Sequence, residues 1–167
     1  MSAAARSKAK VPLLYLDTLV FLNVIKRERG FWADSYKILL AAERNDIQLV
    51  ASTLVLVEVG SHKGDIDPLK RNEVIERYLV NAPVRWYELD LFVAEEARRL
   101  CGTHQLRGAD AAHLATAIRA KADYFVTHDT DFPLGKTVSG VEVIKPRLLW
   151  NPTLEDEQVD KEAAEHP

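Results

Sequence analysis

Five acidic residues stand at positions where the sequence pattern changes or where an acid is least expected. Asp17 and Asp129 each follow a short apolar run, Asp131 lies two positions further on, and Asp110 opens a helical pattern. Glu58 is the only charged residue of an otherwise apolar stretch, so it requires a partner if that stretch is buried. Carboxylate oxygens favour Mg2+ or Mn2+ over zinc or copper. A cation held by acids suits the activation of water for phosphodiester hydrolysis.

Two of these acids belong to a helix and a strand that follow one another directly. The helical stripe consists of Leu114, Ala117 and Ile118, and the strand consists of Tyr124, Phe125 and Val126. A helix that leads into a parallel strand runs antiparallel to it, so the first helical turn lies beside the ends of the strands. Asp110 and Asp129 are therefore expected at one edge of a sheet. Taken singly, each residue has a purely structural explanation. Asp110 is then only an acid favoured by the helix dipole, and Asp129 is only a turn former.

Short apolar runs alternate with helical patterns along the whole chain. The predicted strands are residues 11–16, 48–51, 84–89, 124–126 and 141–144. Segment 53–59 is ambiguous because its branched residues favour a strand. We predict a helix there, since a strand directly continuing 48–51 would leave no crossover to the next parallel strand. The alternation predicts an α/β fold with a mostly parallel, five-stranded sheet flanked by helices.

In such a fold the acids converge at the edge where the strands end, which is where open α/β sheets bind ligands. Glu58 lies near the start of the helix after the second strand, and its long side chain reaches back to that edge. Carboxylates gathered there repel by up to about 4 kcal/mol per pair at ~4 Å, and a divalent cation removes this penalty. The acids are too dispersed along the chain for a calcium-binding loop.

Composition suits one domain, since the chain has 167 residues of which 47% are hydrophobic. We place that domain at residues 11–150. Residues 1–10 carry three basic residues and no acid, whereas residues 151–167 carry six acids and one lysine. Both ends are predicted to be solvated tails that are too polar to pack. The lone Cys101, the lack of a membrane-length apolar run and the lack of a signal-type apolar core indicate a cytoplasmic protein.

Four sequence motifs together resemble PIN domains, particularly the VapC-type toxin ribonucleases of bacterial and archaeal toxin–antitoxin pairs. They are LDT at Asp17, STLVLVEV at Glu58, GADAAHLATA at Asp110, and VTHDTDF with Thr127, Asp129 and Asp131. The resemblance covers residues 13–148. It implies a Rossmann-like three-layer fold, an endoribonuclease that uses Mg2+ or Mn2+ on single-stranded or structured RNA, a homodimer, and inhibition by a small antitoxin that covers the site.

The resemblance also suggests a role for each residue. Catalysis and metal binding fall to Asp17, Glu58, Asp110 and Asp129, with Asp131 as a further metal ligand. Thr127 and Thr18 would orient the ligand carboxylates. Candidate RNA contacts are His128, Arg107, Lys63 and Lys136, which are alternatively solvated loop residues. His113 is interpreted as a packing residue, and Leu19 stands where family members often have Asn or Ser.

Other functions stay open at this stage. A PIN domain can also serve in RNA maturation or decay without an antitoxin, and a degenerate PIN domain can act purely as a binding module. Acids at all four positions argue against the binding module. A phospho-receiver domain also has an acidic Mg2+ pocket, and Lys145-Pro146 matches its last loop. It lacks support because no Asp ends a strand at residues 50–90 and the paired acids after the first strand are missing.

Overall fold

Six strands form one sheet in the computed structural model, which describes residues 10–64 and 66–165. The strands are β1 (Leu13–Leu16), β2 (Gln48–Ser52), β3 (Arg85–Tyr87), β4 (Tyr124–Val126), β5 (Thr137–Val138) and β6 (Val141–Ile144). The helices are α1 (Thr18–Lys26), α2 (Trp32–Glu43), α3 (Thr53–Ser61), α4 (Pro68–Ile75), α5 (Leu91–His104), α6 (Gly108–Arg119) and α7 (Leu154–Glu165), with a π-helical turn at Glu76–Val80. The predicted α/β alternation is confirmed, and segment 53–59 is helical.

The order of the strands determines where a ligand can bind. They lie in the order β3-β2-β1-β4-β6-β5, and every neighbouring pair is parallel except β5 and β6. The chain builds outward from β1 through β2 to β3 and then returns to place β4 on the other side of β1. The ends of β1 and β4 thus form the point where the strand order reverses, which is the usual ligand position in open α/β sheets.

The sheet has one strand more than the five predicted. β5 pairs antiparallel with β6 through a two-residue turn at Ser139 and Gly140. Both turn residues have positive φ angles, 49° and 88°, as the mirror-image turns of tight hairpins require. Residues 137–138 lie outside the predicted strands, and β5 adds to the sheet beyond β6.

The helices form two groups. α1 packs against α2, α3 and α4, whereas α5 packs against α6. Helices α1 to α4 connect β1 to β2 and β2 to β3, toward one side of the sheet. Helices α5 and α6 connect β3 to β4, toward the other side. Because parallel crossovers are right-handed, the two groups lie on opposite faces, as the predicted three layers require.

Helix α6 lies close against the sheet because its inner face is made of small residues. Ala111, Ala112, Ala115 and Ala117 are all buried, and α6 contacts both β2 and β4. Its first turn is thereby held beside the ends of the strands. This packing brings Asp110 to the predicted edge.

The acidic C-terminal segment is not the solvated tail predicted for residues 151–167. Residues 154–165 form α7, which packs on α2 with Val159 buried beside Trp32 and Leu40. Charge pairing offsets the low apolar content, since Lys37 contacts Asp160 at 2.6 Å.

The predicted basic segment 1–10 falls almost entirely outside the described residues. Of that segment only Lys10 is described, and its amine contacts Asp123 at 2.7 Å. Within the two described ranges, no helix has both the length and the apolar character needed to cross a bilayer.

Candidate active site

Asp17 occupies the end of β1 and caps the first turn of α1. Its Oδ1 accepts a hydrogen bond from the backbone N–H of Thr18 at 2.8 Å, which satisfies a free helix donor. Its Oδ2 accepts from the hydroxyl of Thr127 at 2.8 Å, and only 5% of the residue is exposed. Burial raises the pKa of Asp17, and the charge of Asp110 raises it further against the opposing effects of nearby donors.

Thr127 connects the ends of two neighbouring strands. It is fully buried immediately after β4, and its hydroxyl donates to Asp17 while accepting the backbone N–H of Asp129 at 2.9 Å. Asp129 in turn accepts the backbone N–H of Asp131 at 2.9 Å. The loop after β4 is therefore folded by its own hydroxyl and carboxylate groups, and it holds Asp129 near Asp17.

Glu58 reaches the same edge from α3. Its Oε2 accepts hydrogen bonds from Thr18 Oγ1 at 2.5 Å and from His113 Nε2 at 2.7 Å. The hydrogen bond from His113 lowers the pKa of Glu58, and this outweighs the opposing effect of burial. The carboxylate is about one-third exposed, so it faces the pocket while its partners lie behind it.

Asp110 lies in the first turn of α6, where the helix dipole favours an acid. Its Oδ2 accepts a hydrogen bond from Nε of Arg107 at 3.0 Å. The same guanidinium lies 3.9 Å from the carboxylate of Asp131. Arg107 thus bridges the two acids on the open side of the site.

The four predicted catalytic acids line one open pocket of about 390 Å³. The full lining is Asp17, Thr18, Leu19, Leu22, Glu58, Ser61, His62, Arg107, Asp110, His113 and Asp129. A neighbouring recess of about 310 Å³ shares Arg107 and Asp110 with this pocket and adds Asp131. Residues more than one hundred positions apart in sequence are brought together by the reversal of strand order at β1 and β4.

Comparison with known proteins identifies the family. The family model described as PIN domain matches residues 14–134, which include all four acids of the pocket. The chain belongs to the PIN domain family. A search of the curated proteins found no match.

Solved toxin–antitoxin structures share the fold of this PIN domain. VapBC2 from Rickettsia felis bound to a DNA fragment from its promoter is 17% identical with a TM-score of 0.54, covering 83% of this chain and 99% of that chain. VapBC-5 from Mycobacterium tuberculosis is 19% identical with a TM-score of 0.54, covering 80% and 98%. A toxin–antitoxin complex from Klebsiella pneumoniae is 19% identical with a TM-score of 0.54, covering 77% and 94%.

The carboxylates of this PIN domain each bind a protein donor in the structure. Among residues 10–64 and 66–165, no three His, Cys, Asp or Glu side chains are grouped closely enough to hold a metal ion together. The reason is local, because Asp17 is turned toward Thr127, Glu58 toward His113, and Asp110 toward Arg107. A shared ion would draw these carboxylates closer together within the pocket.

The chemistry of the donors nevertheless fits a hard divalent cation. All four acids offer oxygen ligands, which Mg2+ and Mn2+ prefer. The raised pKa of Asp17 shows that the surrounding donors do not fully compensate its buried negative charge. A cation in the pocket would supply that compensation.

The structure places three predicted RNA contacts outside the pocket. His128 turns away from the acids, with Nε2 at 3.2 Å from Ser35 Oγ and its ring 4.8 Å from that of Phe31. Burial lowers the pKa of His128. Lys63 follows α3 and Lys136 precedes β5, and both are exposed without lining the pocket. Of the four candidates, Arg107 alone lines it.

Two histidines that sequence reasoning did not assign to the site do line the pocket. His113 lies one turn after Asp110 on α6, so its spacing was a usable signal, although a helical histidine more often packs. His62 follows the helix that carries Glu58. Burial lowers the pKa of His62, with further lowering from the charges of Lys26 and Arg71. Nothing in the pattern around His62 marked it beforehand.

Proposed function

We propose that this PIN domain is an endoribonuclease that uses Mg2+ or Mn2+ to cleave RNA through attack of water on a phosphodiester bond. The observation that carries the proposal is the gathering of Asp17, Glu58, Asp110 and Asp129 around one pocket at the reversal point of the sheet. Each acid comes from a different element, and the crowding of four carboxylates is costly without a cation.

The residues at the pocket have different roles in the proposed reaction. Asp17, Glu58, Asp110 and Asp129 would hold the ion or its waters, and Asp131 would extend the acidic group toward the neighbouring recess. A divalent cation bound there supplies a Lewis acid for a phosphate oxygen and lowers the pKa of a water ligand. One of the four carboxylates accepts the proton of the attacking water. Thr18 and Thr127 keep the ligand carboxylates oriented through their hydroxyl groups.

The RNA would enter from the open side of the pocket. Arg107 stands there with an exposed guanidinium, which suits a phosphate contact. Lys63, Lys136 and His128 lie outside the pocket, so they would contact only parts of the RNA beyond the cleavage point. The pocket is open, which allows a strand of RNA to lie across it.

We further propose that the chain is the toxin of a toxin–antitoxin pair and is blocked by a small antitoxin. The support is the shared fold of the three toxin–antitoxin structures. A homodimer working in the cytoplasm completes the proposal. Light scattering of the purified chain tests the dimer, and a copurifying small protein from a neighbouring reading frame tests the pair. The absence of such a reading frame would favour an RNA-processing nuclease.

The deciding experiment is a cleavage assay on end-labelled single-stranded RNA with Mg2+, Mn2+ or EDTA. Asp17→Asn and Asp129→Asn should each lower the rate by about 100-fold or more, since each removes a ligand charge. Asp46→Asn is the matched control. Asp46 precedes β2 at the opposite edge of the sheet and pairs with Arg44 at 3.0 Å. Full activity of Asp17→Asn, or activity in EDTA, would refute the proposal.

A further inference from the structure

A line of hydrogen bonds runs from the centre of the core to the pocket. The hydroxyl of Tyr15 in β1 lies 2.6 Å from Nδ1 of His113, and both residues are almost completely buried. The other ring nitrogen of His113, Nε2, lies 2.7 Å from Oε2 of Glu58. Glu58 lines the pocket, whereas Tyr15 lies behind it. The three side chains therefore connect the core with a candidate metal ligand.

The contacts determine which ring nitrogen carries a proton. An ionised carboxylate only accepts hydrogen bonds, so Nε2 of His113 must donate to Glu58. In a neutral ring, Nδ1 then has a free lone pair and accepts from the hydroxyl of Tyr15. In a charged ring, Nδ1 donates and the same hydroxyl accepts. Glu58 receives an N–H donor in either charge state, because the hydroxyl of Tyr15 can serve in both directions.

Tyr15 is itself fixed by packing. Its ring stacks on Phe125 with centroids 5.4 Å apart and planes 6° apart. The hydroxyl is therefore presented to His113 from a rigid part of the sheet. The imidazole is held by two hydrogen bonds at opposite sides of the ring, which prevents it from rotating away from Glu58.

The two oxygens of Glu58 have different surroundings. His113 and Thr18 both donate to Oε2. Within the described residues no protein donor contacts Oε1. Oε2 is thus fixed by two hydrogen bonds, whereas the lone pairs of Oε1 remain available for a ligand.

We propose that Tyr15 and His113 are positioning residues that hold Glu58 by one oxygen and leave the other free to bind the divalent cation. This inference rests on the proposed function, in which Glu58 is a metal ligand. His113 then acts through Glu58 and does not contact the ion. Tyr15 acts one step further back by keeping the ring of His113 in place.

The test uses two readouts that do not depend on RNA cleavage. Nitrogen-15 NMR of the imidazole in the metal-free protein reports which ring nitrogen of His113 carries the proton. Titration with Mn2+, with free ion measured by EPR, gives the metal affinity. Tyr15→Phe removes only the hydroxyl and should weaken Mn2+ binding by about tenfold. His113→Leu should weaken it at least as much, and His113→Gln should recover part of the loss because its amide keeps an N–H donor.

Tyr78→Phe is the matched control. Tyr78 is also buried, but its hydroxyl has no hydrogen-bond partner within the described part of the chain. The variant should bind Mn2+ as the unaltered protein does. Thermal unfolding confirms that each variant folds, and if His113→Leu does not, Tyr15→Phe and His113→Gln carry the test.

The outcomes separate the inference from the proposed function. Protonation of the neutral ring of His113 at Nδ1, or unchanged Mn2+ affinity in Tyr15→Phe and His113→Leu, would overturn the inference alone. Failure of the unaltered protein to bind Mn2+ would overturn the proposed function and the inference together. A proton on Nε2, with weaker binding in Tyr15→Phe and partial recovery in His113→Gln, supports it.

Discussion

The hydroxyl of Thr127 lies 2.8 Å from Oδ2 of Asp17 and so joins the ends of β4 and β1 where the strand order reverses. It also accepts the backbone N–H of Asp129. We expect Thr127→Val, which keeps the shape of the side chain, to destabilise the fold by about 1–3 kcal/mol because a buried carboxylate and a backbone donor lose their partner. Urea unfolding measures the loss, and the Mn2+ affinity should fall with it.

The control for Thr127→Val is Thr116→Val in α6. Thr116 is equally buried, but its hydroxyl bonds only to the backbone oxygen of Ala112 one turn earlier. Such hydrogen bonds contribute little to the stability of a helix, so Thr116→Val should lower the free energy of unfolding by less than about 1 kcal/mol. Equal losses in both variants would mean that the contact between Thr127 and Asp17 has no special role.

Asp17 should destabilise the metal-free fold when it is ionised. Its pKa is raised by burial, so the folded state favours the protonated form, and the penalty present at neutral pH disappears as the pH falls through that raised value. We therefore expect metal-free Asp17→Asn to be at least as stable as the unaltered protein at neutral pH. The advantage should shrink on acidification. Urea unfolding at several pH values measures this, and a clear loss of stability at neutral pH would contradict the prediction.

The ionised form of Asp156 should stabilise the fold, opposite to the effect of Asp17. Burial acts to raise its pKa, but hydrogen bonds from Trp150 and Thr153 and the charge of Arg44 outweigh it, and the net pKa is lowered. Its stabilisation is therefore present above the ordinary carboxyl pKa and is lost as the pH falls below it. Asp156→Asn should cost about 1–3 kcal/mol at neutral pH, measured by urea unfolding. A neutral result would show that α7 is held by its other contacts.

The fold and the acids of the site were predictable because each acid follows a local pattern. Asp17 and Asp129 end apolar strands, and Asp110 opens a helix whose small residues identify the face against the sheet. The carboxyl ends of parallel strands share one edge, so convergence follows without knowledge of the strand order. The orientation of the side chains did not follow, because the partners of Glu58 and Asp17 depend on distant residues.

The composition of residues 151–167 predicts a solvated tail, whereas residues 154–165 form α7. Thr153 and Asp156 form reciprocal hydrogen bonds, Asp156 accepting the backbone N–H of Thr153 and Thr153 accepting that of Asp156. This is the capping-box arrangement, and its spacing of three positions is visible in the sequence. What composition could not show is that Lys37 of α2 and Arg44, the residue directly after α2, are the cations that pair with the acidic helix.

The prediction that His128 contacts RNA beside the acids relied on its position next to Asp129 in the sequence. The structure does not place the two side chains together. His128 lies beside Asp129 in the chain, but the backbone turn after β4 sends the two side chains in different directions. His128 meets Ser35 and Phe31 of the α2 region. The bend after β4 is the physical reason, and it is stabilised because Thr127 and Asp129 accept the backbone N–H groups of Asp129 and Asp131.

Arg107 occupies the position of a competing cation on the open side of the pocket, since its guanidinium contacts Asp110 and lies near Asp131. We expect Arg107→Gln to leave the melting temperature nearly unchanged, because exposed ion pairs contribute little. Mn2+ binding should stay equal or become tighter once the competing charge is removed. RNA binding, measured in an Asp17→Asn background to prevent cleavage, should weaken, and its logarithmic salt dependence should fall by about one unit.

Arg98→Gln separates these effects from a general loss of positive charge. Arg98 forms the same kind of exposed pair three residues from an acid, with Glu95 on α5, and it lies outside the pocket lining. It should change neither the Mn2+ affinity nor the salt dependence of RNA binding. If Arg107→Gln and Arg98→Gln weaken RNA binding equally, Arg107 acts only through long-range charge. Weaker Mn2+ binding in Arg107→Gln would instead mean that the arginine helps to assemble the acidic site, because it then holds Asp110 in a conformation that favours the ion.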